Sequence, residues 1–301
     1  MSAGAGDAFP HLGDAARGVI ASSAADRIRF LKEPHWVGYS HAMAIMAHLR
    51  ELADSPRHTR APNLLLVGEP ANGKTTLVSR FEQTDGASRQ DANGDPHRPV
   101  ILAQAPPSAD EKALYISILE RFWMPYRASE PVVRLRYQVV HLMRTCHVRI
   151  LIIDELHSVL TGTALKQREV MNAIKLLCNE LCIPIVGVGT RDAVRVLHTD
   201  PQHASRFSVV ALPLWKIDAD FQRLLASFER LLPLRKPSSL HTPDIARKLH
   251  YLSEGNIGYL SRLLIECARS AIETGEERVT SAIIEKHTWL RSRDGIREIA
   301  L

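Results

Sequence analysis

The chain has 301 residues, 45% of them apolar and 24% charged, which is enough for one large or two smaller packed domains and excludes a linker or tail. Lys and Arg number 38 against 33 Asp and Glu, a net charge of +5. That surplus permits an anionic partner, but charges of such mixed sign cannot build the uniform basic surface of an obligate nucleic-acid scaffold.

No apolar run reaches the roughly 18 residues of a membrane span. The opening MSAGAGDAFPHLGDAARG lacks the basic and then apolar stretch of an export signal, so a soluble cytoplasmic protein without a membrane partner is expected. Four cysteines are too few for a disulfide framework, and Cys178 and Cys182, at i and i+4 of a helical pattern, read as reduced core thiols. Zinc would need two further ligands at finger-type spacing, which the neighbourhood lacks. The 14 histidines, His141 and His147 included, show no metal pattern.

Residues 1–25 are rich in Ala, Gly and Ser without a sustained period, and the first twenty are expected to be disordered. A short helical pattern follows, is interrupted at Pro34, and resumes near Ser40 with Ala42, Ile45, Met46, Leu49 and Leu52 at helical spacing. Residues 1–60 therefore read as an N-terminal extension leading into a core.

From Pro62 short apolar runs alternate with amphipathic segments. The runs are NLLLVG (63–68), PVILAQ (99–104), RILIID (149–154), IPIVGVG (183–189) and SVVALPL (208–214). Their nearly continuous apolar character predicts strands covered on both faces, joined by helical crossovers into a parallel sheet over residues 61–214. After Leu214 the strand signal stops. Phe221, Leu224, Leu225, Phe228, Leu231 and Leu232 repeat with a helical period, Pro233 and Pro237 break it, and helices are expected at 242–253, 257–273 and 279–291. Residues 215–301 are thus expected to form an all-α lid domain, and the sequence shows no internal repeat.

Directly after the first strand comes Gly68-Glu69-Pro70-Ala71-Asn72-Gly73-Lys74-Thr75, with Thr76 continuing into a helical run. This fits G-x-x-x-x-G-K-[ST] in the strand–loop–helix context that polyphosphate binding needs. Glycines let backbone N–H groups close on phosphate oxygens, and the helix N-terminus adds positive potential. Lys74 bridges the terminal phosphates of ATP and Thr75 offers a hydroxyl to Mg²⁺. The strand RILIID ends in Asp154 and Glu155. Asp154 is placed to hold the Mg²⁺ shell and Glu155 to polarise a water for in-line attack on the γ-phosphate. The next strand runs into Thr190, a candidate to position that water, although a threonine opening a turn has a structural explanation too.

Together, the phosphate loop, the strand ending in Asp-Glu, the polar residue after the following strand and the helical C-terminal region resemble the AAA+ ATPases over roughly residues 40–290. The resemblance implies a three-layer P-loop core with a parallel five-stranded sheet of order 5-1-4-3-2, followed by a small helical lid. It also implies an arginine finger that reaches a neighbouring subunit's γ-phosphate. Arg206, before the fifth strand, is the candidate, with Arg191 and Arg195 as competitors. A sensor arginine on a lid helix is implied as well, and Arg262 in Gly255-Asn256-Ile257-Gly258-Tyr259-Leu260-Ser261-Arg262 fits it, a solvated helix face being the alternative. His35 and Trp36 could pack beside the adenine or serve as a hydrophobic anchor.

More narrowly, DRIRFLKEPHWVGYSHA, LLLVGEPANGKTTL, RILIIDELHSVLTG, GVGTRDAVRVLHTDPQHASRF and SEGNIGYLSRLL resemble the TniB branch of the TnsC-like transposition ATPases. That likeness implies a homo-oligomer, a ring or filament, assembled with ATP on double-stranded DNA and therefore nucleoid-associated. It would engage a DDE-type transposase, and hydrolysis would disassemble it. Two alternatives stand beside it: a helicase loader or replication initiator, and an adaptor that binds ATP without hydrolysing it. Asp154-Glu155-Leu156-His157 also matches the D-E-x-H box of helicases, but those need two tandem cores and this chain has material for one. Arg89 and Arg98 flank DGASRQDANGDPHRP, whose length and polarity suit a pore element or an ordinary loop.

Overall fold

The computed structural model describes residues 9–90, 94, 96–127, 129–198 and 205–288. Parts of four expectations lie outside them: the first eight residues, part of the loop between Arg89 and Arg98, residues 200–204 before Arg206, and the 289–291 end of the last helix. The chain divides into two compact units, one from His41 to Pro213 and one joining residues up to Ser40 with those from Leu214 onward.

In chain order the strands are β1 (Asn63–Gly68), β2 (Arg89–Gln90), β3 (Pro96–His97), β4 (Val100–Gln104), β5 (Ile150–Asp154), β6 (Ile185–Gly189) and β7 (Phe207–Leu212). The helices are α1 (Asp14–Val19), α2 (Ala24–Lys32), α3 (Ser40–Asp54), α4 (Lys74–Asp85), α5 (Glu111–Glu120), α6 (Val132–Thr145), α7 (Ala164–Leu181), α8 (Val194–Leu197), α9 (Ala219–Glu229), α10 (Pro243–Ser253), α11 (Ile257–Glu273) and α12 (Ser281–Lys286).

Five strands pair in parallel in the order β4-β5-β6-β1-β7, while β2 and β3 form a separate antiparallel hairpin. Read from the β7 edge, this is the 5-1-4-3-2 order that the AAA+ resemblance implies. The strand limits follow the prolines. Pro184 cannot donate to a ladder, so β6 begins at Ile185, and β7 stops before Pro213. Leu64, Leu65, Leu66 and Ile150 to Ile153 are all fully buried, each side chain contributing about 1.5–3 kcal/mol relative to exposure. The expected cover on both faces fails at β7. Ser208, Val209 and Ala211 are exposed there, because β7 is an edge strand paired with β1 on one side only.

All four cysteines are free. Cys178 donates to Asn63 Oδ1 (3.5 Å), which also accepts from the Ile185 amide (2.8 Å), and burial pushes the thiol pKa up. No group of three or more His, Cys, Asp or Glu among the described residues is placed to hold a metal. No described helix is long and apolar enough to cross a membrane.

In the helical unit, α9 to α12 pack around Phe221, Leu224, Leu225, Leu249, Leu260, Leu263, Leu264 and Cys267. Asp218 caps α9 by accepting from Phe221 N, and Asn256 caps α11 by accepting from Gly258 N and Tyr259 N. The expectation of a disordered start is corrected for the described residues from Phe9 onward. Leu12, Ala16 and Ile20, spaced i, i+4 and i+8, are buried with Phe30, a helical stripe that the small-residue composition hides. Gly13 N donates to Arg230 O (2.8 Å), so this segment belongs with the C-terminal helices.

Arg27 on α2 clamps the unit. Its side chain is 3% exposed, its Nε donates to Pro233 O (2.9 Å), and its Nη1 and Nη2 meet both carboxylate oxygens of Glu277. Glu277→Gln would leave a buried guanidinium without its countercharge, and is expected to lower stability by about 3 kcal/mol at neutral pH in urea unfolding. The hydrogen bond from Arg27 holds the Glu277 carboxyl below its ordinary pKa. A depressed folded pKa contributes stability that is complete above the unfolded value, about 4.3, and is lost as pH falls through the folded one. The gap between wild type and variant should therefore narrow below about pH 4, and a gap constant across the acid range would contradict the pairing.

Candidate functional site

The carboxyl ends of β1, β5 and β6 meet at one edge of the α/β unit, with β6 lying between the other two. In open parallel sheets this edge gathers loop amides and helix N-termini, the groups suited to an anion.

β1 ends at Gly68 and α4 begins at Lys74. The loop between them turns through Ala71 (φ 57°) and Gly73 (φ 83°), both left-handed, and only the glycine takes that conformation without a Cβ penalty. Asn72, 1% exposed, donates through Nδ2 to Leu212 O and Pro213 O (3.0 Å each), fastening the loop to the end of β7. Glu69 O accepts from Asn72 N (3.2 Å). Pro70, Ala71 and Thr76 are exposed.

Lys74 is buried within the loop, its Nζ donating to Gly68 O (2.9 Å) and Glu69 O (2.8 Å). Burial pushes its pKa down, and the carboxylates of Glu155, Asp154 and Glu69 oppose that. Thr75 Oγ1 donates to Asp154 Oδ2 (2.7 Å), while Asp154 Oδ1 accepts from Glu155 N (2.8 Å). The phosphate-loop helix and the acidic strand tip are thus joined by one hydrogen bond. A hydroxyl and a carboxylate at that distance are hard oxygen donors that fit Mg²⁺.

Glu155 adopts φ 57°, ψ 32°, a left-handed conformation that costs a residue with a Cβ about 1 kcal/mol and is typical of functional sites. Its Oε2 stands 3.2 Å from His157 Nε2. Thr190 follows β6, and its backbone N–H donates to His157 Nδ1 (3.4 Å). Arg191 Nε lies 3.0 Å from Glu69 Oε1, so the β6 tip is tied to the phosphate loop as well.

The structure therefore brings Gly68 to Thr76, Asp154, Glu155 and Thr190 to one sheet edge. Arg206 lies at the opposite edge: its carbonyl accepts from Asn63 N at the start of β1, and its Nη1 donates to Asn179 Oδ1 (2.8 Å). Arg195 is exposed on α8. Arg262 is exposed on α11 of the helical unit, to which half-buried His35 and Trp36 also belong, the ring of His35 lying 4.3 Å from that of Phe30. Arg89 pairs with His97 across the β2–β3 hairpin, and Arg98 donates to Arg121 O and covers the Phe122 ring. Sequence reasoning missed three features: the Asn72 anchor, the Arg191–Glu69 pair and the place of His157. Of these only His157 carried a sequence signal, as the last letter of the D-E-x-H match.

No curated protein sequence matches the chain. Among solved structures it is similar to the Aeropyrum pernix ORC2 protein in its ADPNP–ADP complexes. The TM-score is 0.59 at 17% identity, over 86% of this chain and 70% of that one. Cdc6p from Pyrobaculum aerophilum gives 0.60 at 17% identity, over 88% and 71%. Hsp104 from S. cerevisiae in its extended casein complex gives 0.56 at 17% identity, over 89% and 44%. These likenesses show a shared fold, a five-stranded parallel sheet with helices followed by a helical C-terminal region. The family described as "Bacterial TniB protein" matches residues 27–217, more than half of the sequence and including every element of the phosphate-loop edge. The chain belongs to the TniB family.

Proposed function

We propose that the chain is an ATPase that regulates DNA transposition. It binds Mg·ATP at Gly68 to Thr76, assembles as a ring or filament on double-stranded DNA, and recruits or activates a DDE-type transposase. Hydrolysis then takes the assembly apart. The observation that carries the reading is the hydrogen bond from Thr75 to Asp154, beside buried Lys74 and with Glu155 next in the chain.

Loop amides and the N-terminus of α4 would receive the phosphate oxygens. Lys74 would exchange the neutral carbonyls of Gly68 and Glu69 for the charged terminal phosphates, a charge-assisted hydrogen bond in place of two neutral ones. Thr75 and Asp154 would hold Mg²⁺, whose part is to neutralise charge on the β- and γ-phosphates. Glu155 would take the proton of a water attacking the γ-phosphate in line, and Thr190 would position that water. Arg206, on the far edge of the sheet, suits service to a neighbouring subunit in exchange for its bond to Asn179. Arg191 is already engaged with the phosphate loop of its own chain. Arg262 would act from the helical unit as the lid sensor. TniB membership supports a transposase over a replicative helicase as the partner. The +5 charge of each protomer adds up along an oligomer and supports DNA as the track.

Lys74→Ala should weaken ATP binding by at least about 100-fold in calorimetry. Glu155→Gln should keep ATP affinity, lower turnover by about 10²- to 10⁴-fold, and leave ATP-bound assemblies persisting on duplex DNA. A Glu155→Gln protein that released phosphate at the wild-type rate would remove Glu155 from the mechanism.

Arg206→Ala should bind ATP normally yet hydrolyse it about 10³-fold more slowly. Mixing it with Lys74→Ala should restore part of the activity, since each variant supplies what the other lacks. Mixtures no more active than the two proteins assayed apart would contradict an action across subunits.

A further inference from the structure

His157 has no part in the chemistry proposed above, yet the structure builds a seat for it. It stands on the 3₁₀ turn Leu156–Thr161, directly after the acidic tip of β5. The absent side chain of Gly189 makes the space: a Cβ there would lie 3.3 Å from both His157 N and Nδ1 and 2.9 Å from Ala193 Cβ. The Thr190 backbone N–H donates to Nδ1. A ring that accepts at Nδ1 carries its proton on Nε2 when neutral, and that nitrogen stands 3.2 Å from Glu155 Oε2. The imidazole therefore spans the two strand tips, with the residue proposed to position the water at one end and the proposed base at the other.

A glutamate has three side-chain torsions, and the Glu155 side chain is 39% exposed, so without a partner its carboxylate would sample many directions. We infer that His157 is a positioning residue. Anchored on the Thr190 amide, it presents Nε2–H to Glu155 and holds the carboxylate in register with the tip of β6, so that displacement of Thr190 is passed to the base. This rests on the ATPase reading and adds to it a link between the strand that reads the γ-phosphate and the group that activates the water. It also gives the Gly189 position and the fourth residue of Asp154-Glu155-Leu156-His157 a shared purpose within a single AAA+ core.

The test is steady-state ATP hydrolysis by the full chain with duplex DNA, combined with ATP binding and thermal melting. His157→Ala should lower kcat by about 10- to 100-fold while leaving KM for ATP within about twofold. His157→Gln, whose amide nitrogen reaches about as far as Nε2, should recover most of that loss. His157→Asn, whose amide can meet Thr190 but stops short of Glu155, should remain as slow as His157→Ala. Adding His157→Ala to Glu155→Gln should cost little further rate, since the pair acts as one unit. Wild-type kcat in His157→Ala would overturn the inference. So would equal slowing in the Ala and Gln variants with a matching loss of melting temperature, or full additivity in the double variant. A wild-type chain that binds ATP and never turns it over would overturn the ATPase reading itself, a result distinct from active wild type indifferent to His157.

Discussion

The 2.7 Å hydrogen bond from Thr75 to Asp154 is the interaction around which this molecule is organised. β1 and β5 are not neighbours; β6 runs between them. For the first turn of α4 to reach the tip of β5, the helix must pass over β6, and the three strands must end close to one another. Parallel pairing supplies that shared edge: Leu65 and Ile153 are both in register with Gly187 of β6, so β5, β6 and β1 end one, two and three residues beyond that rung. The buried Leu and Ile runs hold the strands, the prolines set their ends, and Asn72 pins the loop to β7, so that a short polar contact becomes the meeting point of two distant sequence motifs.

The same edge concentrates opposing charges. Lys74 is desolvated among three carboxylates, two of them at the β5 tip. Three carboxylates around one ammonium leave a surplus of negative charge at this edge, and the low local dielectric magnifies it. The left-handed backbone of Glu155 belongs to the same economy of the site: a local strain held in place by the bond from Glu155 N to Asp154 and by the turn that follows.

Much of the α/β unit could be read from the sequence because its signals are local. Continuous apolar runs mark buried strands, and the phosphate loop announces itself through glycine, lysine and threonine at fixed spacing. The exposure of β7 was not legible, since SVVALPL is as apolar as its neighbours and only sheet order makes it an edge. Nor was the start of the chain, where Leu12, Ala16 and Ile20 form a narrow stripe among small residues that packs with Phe30, while Gly13 and His11 bond to Arg230 O and Leu234 O, more than 200 positions away. In the site, Gly68 to Thr75, Asp154 and Glu155 were evident from residue type, whereas His157 needs Gly189 and Thr190 to acquire a meaning. Arg191, Arg195 and Arg206 are alike in sequence, and three-dimensional position separates the first, paired with Glu69, from the last, at the opposite edge.

The central claim is that a triphosphate at this edge joins identical chains on DNA. Electron microscopy of the full chain with duplex DNA, Mg²⁺ and a non-hydrolysable ATP analogue tests it most directly. The account predicts ordered rings or filaments in which the γ-phosphate lies between Lys74 of one subunit and an arginine of the next. Dispersed monomers at saturating analogue, or an assembly whose subunit contacts lie away from the nucleotide, would contradict it.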